Sequence, residues 1–564
     1  MNQDAEPPTG DIGRRDAETD GAFNHATGEL RPGFGITRDD VVLDVGCGAG
    51  RESVFCGQRG AHVIFVDIDP AEVARTRDAL AGTPARGLTP IVSDTNPLPL
   101  PDGIASKVIA AEVIEHVDDP AQFLSELVRA GRPGAHYLLA VPDPGIEKLQ
   151  VGLAADSYHR KPNHVRVIDR DAFARMATDA GLIVERRGYY GFYSAIWFMF
   201  FWLCRVDLAA AARHPLIQLW DRTWNTLLDT PGNARLRRAL NEILPMSQYI
   251  IARKPRADER MSPGTLRRVA SFFGLGTRPG GHGPISAPAD GAAPATSLLT
   301  HPRPNEFLDS AFIGVQDAAQ SGWFDMGRRE IFTGFPILPD DIVLDVGCGS
   351  GNYTEQCARW AAHVIFSDVD PASVAETERR LAGITTCNLT PIVGSADPLP
   401  VADDSVTRVI SLEVLEHVDD PRQFLKELVR VGKRGALYLL SVPDPLQESL
   451  QHELAPPEFF LKGQGLIRGL SSGHLRTIGR NEFEQLVIEA GLEIQSHHYA
   501  GFFRALWLGF FWLCDVDFAN PDHPLLNNWT RTWKFILDAE DGMRVKSRLD
   551  AFMPKSQTIV ARKP

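Results

Sequence analysis

The stretch VVLDVGCGAG at residues 41–50 decides the fold, and it recurs as IVLDVGCGSG at residues 342–351. In both copies an apolar run rich in β-branched residues, typical of a buried parallel strand, ends at a glycine-rich turn. Such a turn lets a ligand approach the backbone closely and leads into the N-terminus of a helix. A tight turn without a ligand fits the same letters, so the motif needs support from the rest of the chain.

The repeat extends far beyond this motif. VIAAEVIEHVDDPAQFLSELVRA at 108–130 matches VISLEVLEHVDDPRQFLKELVRV at 409–431. Between the copies, residues 274–297 are mainly Gly, Pro, Ala and Ser, a composition typical of a flexible linker. A chain of 564 residues is also too long for one core. We therefore predict a disordered N-terminus at 1–20, a first domain at 21–255, a linker at 256–305 and a second domain at 306–564.

Composition narrows the class of protein. The net charge is −14 and no long basic run occurs, so a nucleic-acid partner is not expected. The seven cysteines include no Cys-x-x-Cys pair, which predicts reduced thiols and a cytoplasmic location. The polar, acidic start MNQDAEPPTGDIGRRDAETDG has no apolar core and does not resemble a signal peptide.

Strands and helices alternate along each copy, which predicts an α/β fold with a parallel sheet covered on both faces. Asp69-Pro70 and Asp119-Pro120 each open a predicted helix, with Asp as the cap and Pro at the first helical position. Ligands of such sheets bind at the carboxyl ends of the strands. In the first copy the polar residues that follow predicted strands are Asp67, Asp94, Glu112, Glu115 and His116.

The segments LDVGCGAG, FVDIDP, VSDTNPLPLPDG and AAEVIEHVDDPAQFLSELVRAGRPGAHYLLAVP resemble the class I S-adenosylmethionine-dependent methyltransferases. Within them they are similar to the type 11 group, which includes ubiquinone and menaquinone biosynthesis enzymes. The resemblance is good over residues 41–141 and 343–442. It implies two tandem Rossmann-like domains, each with a mostly parallel seven-stranded sheet and helices on both faces, and S-adenosylmethionine as the cofactor.

The resemblance also implies cofactor contacts. The three glycines of the turn would hold the methionine and ribose part, with Asp44 near the amino group. Asp67 would bind the ribose hydroxyls, Asp94 the adenine amino group, and Glu112 would border the transferable methyl. Asp67 also stands where a ribose-binding acid follows a glycine turn in nucleotide-binding sheets. The cofactor residues predicted in this way are Asp44, Gly46, Gly48, Gly50, Asp67, Asp94 and Glu112, with Asp345, Gly347, Gly349, Gly351, Asp368, Ser395 and Glu413 in the second copy.

Four histidines are candidates for catalysis. His116 and His417 could remove the proton of an acceptor hydroxyl, because imidazole titrates near neutral pH. His164 and His474 precede the last long helix, a segment that borders the acceptor pocket in the similar family. Capping or packing is the alternative role for each. EVIEH and EVLEH also match an E-x-x-E-H pattern that holds a divalent cation in some quinone O-methyltransferases. The metal ligands would be Glu112, Glu115 and His116, and Glu413, Glu416 and His417.

Two nearly uncharged aromatic segments, 188–204 and 499–514, are the least typical part of the sequence. They are at the short limit for a membrane span and lie between predicted sheet strands. We expect them to cover an apolar acceptor pocket or to form a contact between the copies. A helix on a membrane surface and a plain packing helix are the alternatives.

The function implied by the resemblance is methyl transfer to a small-molecule, sugar or lipid-linked acceptor, with oxygen as the expected atom. The Asn/Asp-Pro-Pro-Tyr motif of the nucleic-acid branches is replaced by AEVIEHV and LEVLEHV. One alternative is that one copy is inactive and serves as a binding or dimer-mimicking scaffold. Another is a nucleotide-dependent oxidoreductase, which the G-x-G-x-G spacing disfavours.

Overall fold

The computed structural model describes residues 11–154, 158, 164–259, 310–396 and 398–564. Most of the predicted linker and the first ten residues of the predicted disordered N-terminus lie outside these ranges. Among the described residues, no helix is both long and apolar enough to cross a membrane.

The first half contains a seven-stranded sheet. Its strands are apolar and largely buried because helices cover both faces, as the near-continuous runs of Val, Ile and Leu predict. Five neighbouring strands are parallel, and the last two pair antiparallel. In spatial order the strands are Gly87–Val92, His62–Asp67, Val41–Val45, Ala105–Ala111, Gly131–Pro142, Ser247–Arg253 and Ile183–Tyr190.

The second half repeats this sheet with the same order and the same antiparallel end. Both predicted sheets, mostly parallel and seven-stranded, are therefore confirmed. The strands in spatial order are Asn388–Val393, His363–Asp368, Ile342–Val346, Val406–Leu412, Gly432–Pro443, Ser556–Arg562 and Glu493–Ala500.

Small strands precede each sheet, and the second half also has a hairpin that has no counterpart among the described residues of the first half. The hairpin lies in the segment where that half carries extra residues before the helix Arg480–Glu489. The prediction that this is the last long helix is wrong, because Phe502–Leu513, Pro524–Asp538 and Gly542–Phe552 follow it. The short strands are Glu29–Arg31 and Phe34–Gly35 in the first half, and Trp323–Asp325, Glu330–Phe332, Phe335–Pro336, Leu466–Ile467 and Leu470–Ser471 in the second.

The predicted helix caps are confirmed. The Asp69 carboxylate accepts a hydrogen bond from the backbone N–H of Ala71, and Asp119 accepts from two backbone N–H groups. The helices of the first half are Asp11–Thr19, Arg51–Gln58, Pro70–Leu80, Pro120–Ala130, Pro144–Gln150, Arg170–Asp179, Phe192–Cys204, Leu208–Ala211, Pro215–Asp229 and Asn233–Ile243. Those of the second are Ser310–Gln320, Asn352–Ala358, Pro371–Leu381, Pro421–Val431, Pro445–Leu454, Pro457–Phe460 (a 3₁₀ helix), Arg480–Glu489, Phe502–Leu513, Pro524–Asp538 and Gly542–Phe552.

The prediction of disorder at 1–20 is wrong for the helix Asp11–Thr19. Asp16 of this helix is buried, and it accepts hydrogen bonds from the indole N–H of Trp224 at 2.7 Å and from the Arg237 guanidinium at 3.1 Å. The polar sequence of this helix does not predict these contacts, because they are made by a buried Asp and not by an apolar stripe. Asp317 makes the same 2.7 Å contact in the second half, with Trp533 as the donor.

The two halves share one hydrophobic core. It contains both aromatic helices, Phe192–Cys204 and Phe502–Leu513, together with the helices that follow them. At its centre the hydroxyls of Thr223 and Thr532 are 3.0 Å apart, and the rings of Trp220 and Trp529 are 6.0 Å apart. The members of each pair occupy matching positions in the two copies. Equivalent residues contact each other in this way near the axis of a two-fold symmetric dimer.

Candidate functional site

The glycine-rich turn forms an open cradle at the carboxyl end of the first strand of each sheet. Gly46 has φ 73°, and a Cβ there would lie 2.3 Å from Val113, so a larger residue is excluded. Gly48 has φ 45°, yet a Cβ there would meet nothing within 4 Å. Gly349 is equally open in the second half. Space above a glycine backbone is what a closely bound ligand requires.

Asp67 ends the neighbouring strand and faces this cradle. Its carboxylate accepts a hydrogen bond from the N–H of Gly48 at 3.0 Å and another from the N–H of Asp69 at 2.9 Å. Asp368 makes the equivalent bonds at 3.0 Å to Gly349 and Asp370. The loop thus fixes a carboxylate beside the open glycine in both halves.

Asp44 lies under the same turn and is buried. Its carboxylate accepts a hydrogen bond from the Ser53 hydroxyl at 2.6 Å. Burial, reinforced by the charge of Glu52, raises the pKa of Asp44 to about 7. Asp345 has a Thr354 hydroxyl in the same place, and burial raises its pKa to about 6.

Glu112 and Glu413 follow the fourth strand of each sheet with positive φ angles of 57° and 56°. Residues other than glycine rarely adopt positive φ angles, and those that do are concentrated at functional sites. The Glu413 carboxylate accepts a hydrogen bond from Ser441 at 2.9 Å and pairs with the Lys555 ammonium. Burial raises the pKa of Glu413, but Lys555 and the hydrogen bonds from Ser441 and Ser556 together outweigh burial, so the pKa lies below its ordinary value. The first half has Met246 where the second has Lys555.

Both predicted histidines of each half meet at one point. The rings of His116 and His164 are 5.0 Å apart, and those of His417 and His474 are 4.8 Å apart. Their nearest carboxylate was missed by the sequence analysis. Glu147 Oε2 lies 3.1 Å from Nδ1 of His164.

The second half reproduces this contact, with Glu448 Oε1 at 3.0 Å from Nδ1 of His474. The matched glutamates are 301 positions apart and the matched histidines 310, because extra residues intervene in the second copy. A contact that survives an insertion is a property of the site and not of local chain geometry. Comparing the turns PGIEKLQ and PLQESLQ, which share this acid, could have found it.

A buried carboxylate completes each cluster. Glu115 is 1% exposed, and among the described residues neither of its side-chain oxygens has a hydrogen-bond partner. Burial, then the neighbouring Glu112, raises the pKa of Glu115 well above its ordinary value. Ligand atoms of Glu115, His116 and His164 lie within 4.8 Å of one another. The matching cluster is Glu416, His417 and His474.

A protein-family profile described as "Methyltransferase domain" matches residues 43–139 and 344–440. Each half of the chain contains a methyltransferase domain. The profile covers the glycine cradle, the carboxylates Asp67 and Asp368, and the acids that follow the fourth strand of each sheet. This match confirms the predicted family and fold.

Three curated relatives of these methyltransferase domains support the assignment. A "Probable S-adenosylmethionine-dependent methyltransferase" of Mycolicibacterium smegmatis is 30% identical over 27% of this chain and 52% of its own length. One of the same description from Mycobacterium tuberculosis is 28% identical over 36% of this chain and 64% of its own length. A ubiquinone biosynthesis O-methyltransferase of Hahella chejuensis is 35% identical over 22% of this chain and 52% of its own length. The chain thus spans about half to two thirds of each relative.

The remaining predicted residues of the methyltransferase domains lie apart from the histidine clusters. Asp94 is exposed, two positions beyond the strand Gly87–Val92, and accepts a hydrogen bond from the N–H of Asn96 at 3.1 Å. Ser395 is its exposed counterpart. Among the predicted metal ligands, Glu112 and Glu413 are not in the compact clusters, where a histidine from the later segment takes their place.

Proposed function

We propose that the chain transfers methyl groups from S-adenosylmethionine to a hydroxyl of a small-molecule, sugar or lipid-linked acceptor. The observation that carries this proposal is the repeated arrangement of an open glycine cradle, a fixed ribose-side carboxylate and a buried Glu–His pair. The O-methyltransferase named among the relatives supports oxygen as the acceptor atom. The matched methyltransferase profile argues against a nucleotide-dependent oxidoreductase.

The residues at the cradle fit the cofactor. Asp67 and Asp368 are carboxylates held by backbone N–H groups with acceptor capacity left for a ribose diol. Asp44 and Asp345 are buried acids beneath the turn, suited to a nearby ammonium group, which would stabilise their charged form. When bound, S-adenosylmethionine supplies an electrophilic methyl group on a sulfonium.

The protein's own contribution to the reaction is orientation and removal of a proton. With Nδ1 of His164 facing Glu147, Nε2 is the ring atom that would accept a proton from a hydroxyl. Glu147 would fix the ring and stabilise the imidazolium that forms. His474 and Glu448 would act in the same way in the second half. His116 and His417 pack edge-on against these rings and would hold them in place.

A second candidate is metal-assisted transfer. The compact group of Glu115, His116 and His164 offers one carboxylate and two imidazoles, a ligand set that suits zinc and other first-row transition metals. The buried Glu115, which has no hydrogen-bond partner among the described residues, favours this mechanism, because a cation would stabilise its charged form. Activity that is lost with a chelator and restored by one added metal would distinguish this mechanism from plain base catalysis.

The proposal is tested on the full chain, because the halves share a core. We would incubate it with S-adenosylmethionine and a panel of hydroxyl-bearing quinol, sugar and lipid acceptors and follow added methyl groups by mass spectrometry. The control is the double variant Asp67→Ala/Asp368→Ala. A product made equally by the control, or no product from any acceptor class, would contradict the proposal.

Single variants address the scaffold alternative. If both halves are active, Asp67→Ala and Asp368→Ala each retain part of the turnover. If one half is an inactive scaffold, one of the two variants retains all turnover and the other retains none.

A further inference from the structure

A cavity of about 630 Å³ opens at the seam between the two halves. Arg235, from the first half, forms one side. The other side belongs to the second half and includes His452, Phe460, Arg468 and Trp512, with apolar residues completing the wall. Ligand cavities in proteins commonly have volumes of about 300–1,000 Å³. This one is of that size, and its lining combines residues of both halves.

The lining has one sign of charge. Two arginines and a histidine face it, and none of the described lining residues carries a carboxylate. The remainder is aromatic and aliphatic, with the rings of His452 and Phe460 stacked at 4.0 Å. A cleft of one charge lined by low-polarity walls concentrates ligands of the opposite charge. The complementary ligand is therefore an anion carried on an apolar body.

Arg235 is available to such a ligand. Its side chain is exposed, and among the described residues it makes no hydrogen bond or ion pair. Its counterpart in the second half, Arg544, is instead bonded to the backbone carbonyl of Gly152 at 2.7 Å. Arg468 is held by the carbonyls of Val516 and other residues, and so supplies a fixed positive charge.

A second difference between the halves occurs in the cavity wall. Trp202 of the first half donates its indole N–H to Gln150 at 2.8 Å. Trp512, at the matching position, is 8% exposed, and among the described residues its N–H has no acceptor. Gln451, which matches Gln150, instead donates its amide N–H to Glu448 at 2.9 Å. The wall thus contains a buried donor without a partner, as a binding site without its ligand often does.

We propose that this seam cavity binds an amphiphilic anion, a phosphate or carboxylate attached to an apolar body. Arg235 and His452 contact the anionic group, and Phe460 and Trp512 contact the apolar part. The binding is independent of methyl transfer, although Phe459 lies between the cavity and the histidine cluster of the second half. Its ring is 5.1 Å from Trp512 and 5.1 Å from His474. One ligand is bound per chain, because Arg544, the second-half counterpart of Arg235, is already bonded to the Gly152 carbonyl.

Calorimetry with decyl phosphate on the full chain, without cofactor, tests the proposal. We expect one saturable site, with affinity lowered about tenfold or more by Arg235→Ala, since loss of a charge-assisted bond changes affinity on that scale. Arg238→Ala, an exposed arginine of the same helix, is the matched control and should bind normally. His452→Ala should weaken binding as Arg235→Ala does.

Two further titrations identify which part of the ligand is recognised. Inorganic phosphate and decanol should each bind at least about tenfold more weakly than decyl phosphate, because each lacks one of the two recognised parts. Equal binding of either would overturn the amphiphile assignment. Absence of saturable decyl phosphate binding, or equal affinity in the Arg235→Ala and Arg238→Ala chains, would overturn the site itself. Neither result would bear on methyl transfer, which is measured separately.

Discussion

Replacing Asp67 with alanine is expected to remove cofactor binding from the first half and to leave the second half unchanged. The carboxylate is already held by the N–H groups of Gly48 and Asp69, so it is positioned before any ligand arrives. Its remaining lone pairs are those that a ribose diol would use. Alanine removes both acceptors without adding bulk.

The expected loss follows from the bonds involved. A hydrogen bond to a charged group contributes about 1.5–3 kcal/mol, and a ribose diol makes two. Losing both weakens binding by about 3–6 kcal/mol, which corresponds to roughly 10²–10⁴-fold in the dissociation constant. After such a change, cofactor binding by that half is too weak to be detected at the protein and ligand concentrations of a usual titration.

Calorimetric titration with S-adenosylhomocysteine measures the effect as a stoichiometry. We expect two sites per chain in the unmodified protein, one in Asp67→Ala, one in Asp368→Ala and none in the double variant. Asp69→Ala is the control, since that carboxylate caps the helix Pro70–Leu80 and is not assigned to the cofactor. Thermal unfolding checks that each variant is folded. Two sites in a folded Asp67→Ala chain would refute the assignment of this carboxylate to the ribose.

The other predictions use the same full-length background. Glu448→Gln should lower turnover by the second half about tenfold, because a neutral hydrogen bond to His474 is weaker than a charged one. Cofactor affinity should be unchanged. Equal turnover would contradict the proposed role of the Glu448–His474 pair. The second half should bind S-adenosylhomocysteine about tenfold more weakly than the first, because Ser395 offers a neutral acceptor where Asp94 offers a charged one. Asp397, which could compensate, lies outside the described residues, and equal affinities in the two single-site variants would contradict this expectation. Burial, opposed by Arg237, raises the pKa of Asp16 to about 6, above its unfolded value of 3.8, so its stabilising contribution is complete below about pH 4 and is lost as the pH rises through 6. Urea unfolding at several pH values should show this loss, and Asp16→Asn should reduce it without abolishing it, because Asp44, Asp317 and Asp345 also have raised pKa values in this range.

The sheets and the cradle could be predicted because their signals are local. A run such as VVLDVG is mostly apolar and rich in β-branched residues, as a covered parallel strand is, and the glycines that follow mark positive φ angles. Asp69 and Asp119 cap helices through contacts two or three residues away. Each of these features depends on residues close in sequence, so the sequence pattern predicts them.

The Glu–His pairs and the N-terminal anchor depend on contacts between distant segments. Glu147 stands in the first turn of a short helix, where an acid is also favoured by the helix dipole, so its sequence context suggests an ordinary surface residue. Lys555 follows a proline in the loop before the last strand, and its partner Glu413 is 142 positions away. Asp16 belongs to a helix whose polar composition resembles a disordered tail. Only the folded chain reveals these partners.

The shared core explains why two copies are joined and why they differ where they do. Thr223 and Thr532 meet at a pseudo-two-fold axis, where matching surfaces of the two halves pack against each other. A substitution in this part of one half therefore requires a fitting residue in the other half. The cofactor cradles are repeated almost unchanged. The differences include Ser395 in place of Asp94, Lys555 in place of Met246, and the inserted segment that carries Arg468. Fusing two copies in one chain allows this divergence, because a homodimer of identical chains would have to carry every change at both sites.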